Sequence, residues 1–165
     1  MKNILVTGAA GFIGFSLIKS LIDDYEIIAV DNLNEYYDIQ LKKDRLEQIG
    51  INTAKIQDHI GVNSSQGKFQ FIKLDFSDKK ALQDIFTKNV FDTVIHLGAQ
   101  AGVRHSLDNP DAYIQSNIIG TNNVFEACKE NNVKHVIFAS SSSVYGKNEK
   151  QPYSESDEIN KPMSL

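Results

Sequence analysis

Gly8, Gly11 and Gly14 recur at three-residue spacing directly after the apolar run Ile4-Leu5-Val6, and Phe15 to Ile22 continues with helical periodicity. A buried strand that turns at once into a helix aims free backbone N–H groups and the positive end of the helix dipole at one point, where an anion can sit. Glycine suits such a turn because the backbone needs unusual φ/ψ, because a pyrophosphate has to touch it, and because helix and strand pack closely. The spacing is G-x-x-G-x-x-G rather than G-x-G-x-x-G, and an ordinary tight βα turn is the competing reading. Asp31 ends the next apolar run, Glu26 to Val30, a little over twenty residues past Gly8. A carboxylate there can accept both hydroxyls of an adenosine ribose and repels a 2′-phosphate, which favours NAD over NADP. A turn or helix-capping aspartate is the plainer reading, and the two roles can coexist.

These residues need elements to hold them, and the chain alternates strand and helix. A helix is expected from about Asp38 to Gln48, with Ile39, Leu41, Leu46 and Ile49 loosely at helical spacing and Gly50 as its stop. Ile51 to Lys68 carries little pattern, and Asn63 to Gly67 reads as an exposed loop tip. Phe69 to Leu74 is a third strand. A helix from Asp78 to Lys88 follows, capped by Ser77 or Asp78, with Leu82, Ile85 and Phe86 facing inward. Phe91 to Leu97 is a fourth strand, a long helix covers roughly Asn109 to Asn131 with Pro110 in its first turn, and Lys134 to Ser140 is a fifth strand. Continuous rather than alternating apolar runs argue for an α/β fold, a doubly wound parallel sheet covered on both faces. Right-handed crossovers give the strand order 3-2-1-4-5, with a ligand expected between the first and fourth strands.

A chain of 165 residues with 41% hydrophobic and 23% charged residues suits one globular domain. The net charge of −4 offers no electrostatic reason for a nucleic-acid or anionic-membrane partner. Cys128 is the sole cysteine, so no internal disulfide forms; in Val124-Phe-Glu-Ala-Cys-Lys it reads as a packed, inert thiol. No His/Cys/Asp cluster has metal-ligand spacing, and His59 reads as a solvated side chain. The first strand begins without a signal peptide ahead of it and no apolar run reaches membrane-spanning length, so a cytoplasmic location is expected.

Thr7-Gly-Ala-Ala-Gly-Phe-Ile-Gly14, Asp31-Asn-Leu33, Leu74-Asp75, His96-Leu-Gly-Ala99, Ser116-Asn-Ile-Ile-Gly-Thr121 and Ala139-Ser-Ser-Ser-Ser-Val-Tyr-Gly146 together resemble the extended short-chain dehydrogenase/reductase family. Within it they are most similar to the NAD-dependent nucleotide-sugar epimerase and dehydratase branch. Asp31-Asn-Leu-Asn-Glu-Tyr-Tyr-Asp38 and Gln100-Ala-Gly-Val-Arg-His-Ser-Leu107 further resemble the UDP-glucuronate 4-epimerases, including those serving capsule polysaccharide biosynthesis. The resemblance implies a Rossmann-like fold, a UDP-sugar substrate, NAD as cofactor, no nucleic-acid or membrane partner, and a homodimer for the full-length enzyme. It implies that Gly8, Gly11 and Gly14 form the pyrophosphate turn, with backbone N–H groups offered by Phe12 and Ile13. Asp31 and Asn32 would meet the adenosine ribose, Asp75 and Phe76 the adenine, and Leu97, Gly98 and Ala99 the nicotinamide. Asn117 would hold the strand ends. Ser141 would be the catalytic serine, four residues before Tyr145, and Ser142 and Ser143 would contact the hexose. Dehydratases of the family carry an acid pair at these two positions, so two serines argue against dehydration. Arg104 is the candidate for the C6 carboxylate of a glucuronate. Plainer readings are an Asp75 that caps the next helix, an Asn117 that is an ordinary polar residue, a serine run that is loop filler, and an Arg104 paired with Asp108.

One departure stands out. The family's base is the tyrosine of Tyr-x-x-x-Lys, and none of the six tyrosines is followed by lysine at that offset. Pro162-Met-Ser-Leu165 resembles the lead-in to that tyrosine. The expectation is therefore residues 1–146 as an NAD-binding domain and 147–165 as a polar tail leading toward an absent catalytic segment. The chain would be the amino-terminal portion of an epimerase and inactive alone. The alternatives are another UDP-hexose 4-epimerase, a UDP-glucuronate decarboxylase, or a non-catalytic NAD-binding module.

Overall fold

The apolar runs pair into one sheet. The computed structural model describes residues 2–159. Its strands are Asn3–Thr7 (β1), Glu26–Asp31 (β2), Gly61–Asn63 (β3), Lys68–Lys73 (β4), Thr93–His96 (β5) and His135–Phe138 (β6). They lie in the order β3-β4-β2-β1-β5-β6. β1 pairs parallel with β2 and β5, β2 with β4, and β5 with β6. The five strands read from the sequence thus stand in the expected order. β3 is an addition: it runs antiparallel to β4 at the sheet edge. It buries only Val62, and three residues of exposed-buried-exposed pattern fall below what periodicity can detect. The expected loop tip is the turn of this hairpin, where Ser64 N–H donates to Phe69 O at 2.8 Å.

Neighbouring residues of β1 feed opposite cores, as the two-residue period of a strand requires. Ile4 and Val6 join Ile18, Leu46 and Phe71 on one face, beneath helices Phe12–Leu21 (α1) and Ile39–Gln48 (α2). Leu5 joins Leu82, Phe86, Val94 and Val124 on the other, beneath Lys79–Lys88 (α3) and the helix that follows β5. This is the doubly wound arrangement. Asp38 caps α2 by accepting from Gln40 N–H at 2.7 Å, and Asp78, not Ser77, caps α3 by accepting from Ala81 N–H at 3.0 Å. Cys128 packs in the second core, and burial pushes its thiol up to about 11, where it is inert.

Three expectations are corrected. Leu41 faces solvent, and the buried stripe of α2 is Lys42 and Leu46. The helix expected from Asn109 to Asn131 is not uniform. Asn109 caps it and Pro110 opens it, but α-helical Pro110–Tyr113 (α5) gives way to a π-helical segment, Ile114–Gly120, before Thr121–Glu130 (α6). A short helix, Val103–Asp108 (α4), precedes it. Finally, β6 stands at the edge where the expected order puts it, but Ile137 and Phe138 are exposed, so this strand is not covered on both faces. Beyond residue 146 the chain folds into turns, with Tyr153 stacked on Tyr145 at 4.4 Å and Lys150 bonded to Asp157 at 2.5 Å. The Pro162 to Leu165 stretch lies outside the described residues. Among those described, no helix is long and apolar enough to cross a membrane, and no His/Cys/Asp/Glu group could hold a metal ion.

Candidate functional site

The order of strands reverses at β1, whose two neighbours connect in opposite directions, and a crevice opens there at the strands' carboxyl ends. The glycine turn occupies it. Gly8 takes φ +71°, and a Cβ there would stand 2.7 Å from Gly98 N, so the turn lies directly on the loop after β5. α1 starts at Gly11 with no side-chain cap. The first-turn N–H groups of Phe12, Ile13 and Gly14 therefore face outward without intrahelical partners. The Phe12 and Ile13 side chains are exposed, as befits residues offering only backbone. Arg45 adds a cation: its Nη1 donates to Ala10 O at 3.2 Å, and its guanidinium lies 5.9 Å from the Phe12 ring centre.

Asp31 is buried beside this turn. Its Oδ2 accepts from Ala10 N–H at 3.0 Å and its Oδ1 from Leu33 N–H at 2.8 Å. The ammonium of Lys42 lies 3.9 Å away and is itself held by Asn34 O and Oδ1, each at 2.9 Å. Burial pushes the Asp31 carboxyl up, against Lys42 and the two N–H donors; the same burial pushes the Lys42 ammonium down. Lys42 was missed in the sequence. Its signal was a lysine four residues before Leu46, on the stripe of α2 that faces the protein. Asp75 does not cap α3. Its Oδ1 accepts from Ser77 N–H and its Oδ2 from Asn32 Nδ2, both at 2.9 Å. Burial opposes ionisation there, but the Asn32 and Ser77 donors outweigh it and hold the carboxyl below its usual range.

On the other side of the crevice, Asn117 is more than an ordinary polar residue. Its Oδ1 accepts from Gln100 N–H at 2.7 Å and its Nδ2 donates to Gln100 O at 3.0 Å, clamping the loop that carries Leu97, Gly98 and Ala99. Phe76 is wedged between Gly98 and Gly120, at both of which a Cβ would strike its ring. Asn123 holds the loop after β4, donating to Phe76 O and Ser77 O.

His96, which opens the family-like stretch His96 to Ala99 but has no role assigned there, ties β1, β5 and α6 together. Thr7 Oγ1 accepts from Gly98 N–H at 3.0 Å and shares a second hydrogen bond with His96 Nδ1 at 2.7 Å. The other ring nitrogen, Nε2, is hydrogen-bonded to Thr121 Oγ1 at 3.0 Å, so both ring nitrogens have hydroxyl partners. Burial pushes this imidazole from 6.5 down to about 4. Between those values the unfolded chain holds more protons than the folded one, so stability falls as pH falls. The full effect, about 3 kcal/mol, is reached below pH 4, and about 2 kcal/mol of it is present at pH 5. Denaturant titrations at pH 7.5 and pH 5 should show the unaltered chain losing about 2 kcal/mol more than His96→Asn. Equal losses would mean that the ring is already charged when folded.

The serine run closes β6. Ser141 caps a single 3₁₀ turn, Ser142–Tyr145, and its hydroxyl accepts from Ser143 N–H at 3.2 Å. Ser141 and Ser143 face Gly98, Gln100 and Asn117 across a cavity of 490 Å³; Ser142 does not line it. A smaller cavity of 110 Å³ adjoins it, walled by Gly8, Gly11, Asp31, Asn32 and Phe76. Gly98 and Ala99 border both. Arg104 is exposed on α4 and lines neither, and no ion pair joins it to Asp108 among the described residues. A larger hollow of 530 Å³ lies at the opposite end of the sheet, by Asn3, Glu26 and Lys68, away from the strands' carboxyl ends where α/β sheets carry ligands.

A doubly wound sheet with an uncapped glycine-rich helix start at its switch point, and a buried carboxylate beside it, defines a Rossmann-like dinucleotide-binding domain. The family model described as "NAD dependent epimerase/dehydratase family" matches residues 4–165, and the chain belongs to this family. Staphylococcus aureus protein CapI is 42% identical over 99% of this chain and 45% of its own length. UDP-glucuronate 4-epimerase 1 of Arabidopsis thaliana is 42% identical over 99% of this chain and 35% of its own. A mutant UDP-glucuronic acid 4-epimerase from Bacillus cereus, solved with UDP-4-deoxy-4-fluoro-glucuronic acid and NAD, superposes with TM-score 0.73 at 34% identity. That match covers 98% of this chain and 46% of the solved one. The chain thus spans less than half the length of these relatives.

Proposed function

We propose that the chain is the cofactor-binding, amino-terminal portion of a UDP-glucuronate 4-epimerase. The observation that carries this reading is that the glycine turn, Asp31 and the serine run converge on one crevice, with Gly98 and Ala99 common to both of its chambers. The residues fit a dinucleotide: first-turn N–H groups for the pyrophosphate, a backbone surface from which a Cβ is excluded, and a carboxylate for ribose hydroxyls. Bound NAD would supply reversible hydride acceptance at C4 of the sugar. Gly8, Gly11 and Gly14 shape the pyrophosphate turn, and Phe12 and Ile13 offer it N–H groups. Asp31 and Asn32 take the ribose, Asp75 and Phe76 the adenine side, and Leu97, Gly98, Ala99 and the Asn117 clamp the nicotinamide side. The Ser141 hydroxyl bonds the sugar hydroxyl that loses its proton and Ser143 meets the hexose, whereas Ser142, which does not line the cavity, is left without that contact. The similarity to named UDP-glucuronate 4-epimerases supports the substrate.

The base is assigned to a Tyr-x-x-x-Lys outside these 165 residues. Loss of a general base costs about 10²–10⁴-fold. The purified chain is therefore expected not to convert UDP-glucuronate to UDP-galacturonate, whereas a protein continuing through that motif does. Conversion by the chain alone would overturn the placement of the base. Arg104 is assigned to the glucuronate carboxylate, reached when the remainder of the protein closes the cavity. In the longer protein Arg104→Ala should raise KM for UDP-glucuronate about ten- to a hundredfold, the worth of a charge-assisted hydrogen bond of roughly 1.5–3 kcal/mol. UDP-glucose binding should barely change; equal losses for both sugars would assign Arg104 to its loop instead.

A further inference from the structure

Tyr36 stands over the crevice from a loop rooted at Asp31. The base of that loop, residues 32–34, is pinned. Leu33 is buried at φ +53°, a left-handed conformation held by the bond from its N–H to Asp31; Asn32 is bonded to Asp75 and Asn34 to Lys42. Beyond it, Tyr36 reaches across to the loop after β5. Its ring packs edge-on to Tyr37 at 4.8 Å and lies 5.1 Å from His105 of α4. Its hydroxyl rests on Gly102, where a Cβ would overlap it. Gly102 adopts φ +99°, which only glycine takes without strain. Tyr113 buttresses this landing point, its one hydroxyl proton shared between Ala101 O, at 2.6 Å, and Gly102 O. The two halves of the crevice are thus bridged above the glycine turn.

Beneath the bridge the cavity measures only 110 Å³. It continues past Gly98 and Ala99 into the cavity of 490 Å³, so Tyr36 overhangs the narrow stretch between the glycine turn and the wider chamber, which a dinucleotide would have to span. We propose that Tyr36 is a positioning residue for the cofactor: the loop opens at its tip to admit the dinucleotide and Tyr36 then closes over the pyrophosphate against Gly102, slowing its departure. This rests on the dinucleotide reading above. Interactions made across a closed site act chiefly on dissociation. They matter here because a cofactor reduced and reoxidised within each cycle has no need to leave.

The test is stopped-flow fluorescence of NADH binding to, and displacement from, the unaltered chain, Tyr36→Ala, Tyr36→Phe and Gly102→Ala. Tyr36→Ala should release NADH about tenfold faster, with a smaller change in association. Tyr36→Phe, which keeps the ring contact with His105, should stay within about threefold. Gly102→Ala, which pushes the hydroxyl off its seat, should resemble Tyr36→Ala. In Tyr36→Ala the preference for NADH over NADPH should persist, since Asp31 is intact; a merely misfolded site would lose both. Release from Tyr36→Ala within twofold of the unaltered chain, with binding retained, overturns the strap and leaves the cofactor reading standing. No NADH binding by the unaltered chain removes the cofactor reading and the strap with it.

Discussion

Gly14→Ala is expected to cost the chain both stability and its dinucleotide site. A Cβ at this position would overlap the carbonyl oxygen of Gly8 and stand 3.0 Å from Ala9 Cα. These are backbone atoms of the turn itself, with no side-chain rotamer to relieve the overlap. Overpacking typically costs 1–3 kcal/mol, and a backbone partner places this case at about 3 kcal/mol. For a chain of this size that is a fall in Tm of roughly 6–12 °C. The helix can accept the methyl only by lifting off the turn, which moves the N–H groups of Phe12 and Ile13 from where an anion would bind. Dinucleotide affinity should therefore fall by about a hundredfold or more, since several charge-assisted hydrogen bonds are lost together. Thermal unfolding by circular dichroism and calorimetric titration with NAD check the two parts separately. A variant with unchanged Tm and unchanged affinity would show that α1 does not press on the turn.

Asp31→Ala is expected to abolish the preference for NAD over NADP. Among the described residues, the carboxylate is the one acidic group on the inner crevice wall, and Lys42 stands 3.9 Å from it. With the carboxylate removed, Lys42 becomes an unpaired cation facing the ribose, which should welcome a 2′-phosphate. The loss for NAD should be about ten- to a hundredfold, the value of the hydrogen bonds from ribose hydroxyls to a charged acceptor. NADP affinity should hold or rise. Ala10 N–H and Leu33 N–H also lose their acceptor, so a fall in stability of about 1–3 kcal/mol accompanies the change. Calorimetric titration of both nucleotides decides the matter: a preference that survives in Asp31→Ala would move nucleotide discrimination to some other residue.

The parts of this site that were legible in the sequence are those built from neighbours in the chain. β1, its turn and the start of α1 lie within the first fourteen residues, and Gly11 and Gly14 are required by contacts with Gly8 and Ala9 inside that stretch, although Gly8 itself also lies against Gly98. The caps Asp38, Asp78 and Asn109 act on N–H groups two or three residues away, so capping rules reach them. Strand order followed from alternation and handedness alone. What stayed hidden depends on partners far along the chain. Thr7 meets His96 across 89 residues, and nothing local marks either as part of a relay. Nothing local sets Lys42 apart from Lys43; the groups that enclose it, Asp31 and Asn34, come from β2 and the loop after it. Tyr36 was legible only as part of a family-like stretch, because its landing point, Gly102, belongs to a loop on the other side of the sheet. The relation of Arg104 to any carboxylate depends on the half of the relatives' length that this chain does not span.

The π-helical segment, Ile114–Gly120, makes chain length a constraint in its own right. Tyr113, Asn117 and Thr121 recur at four-residue intervals, and each bonds the end of β5 or the loop after it. A regular α-helix rotates away from its starting direction by about 40° with every such step. The wider turn absorbs that drift and keeps all three aimed at one target. With the bonds of Tyr113 and Asn117 held in place, removing a single residue after them would turn α6 by about 100°, the α-helical rotation per residue. Asn123 would swing off the β4 loop and Val124 out of the second core, although no contacting side chain had been altered. Substitutions along this stretch can be weighed one side chain at a time. A deletion would instead shift the phase of the whole helix, and sequences that share the site should share the residue count between Tyr113 and Thr121.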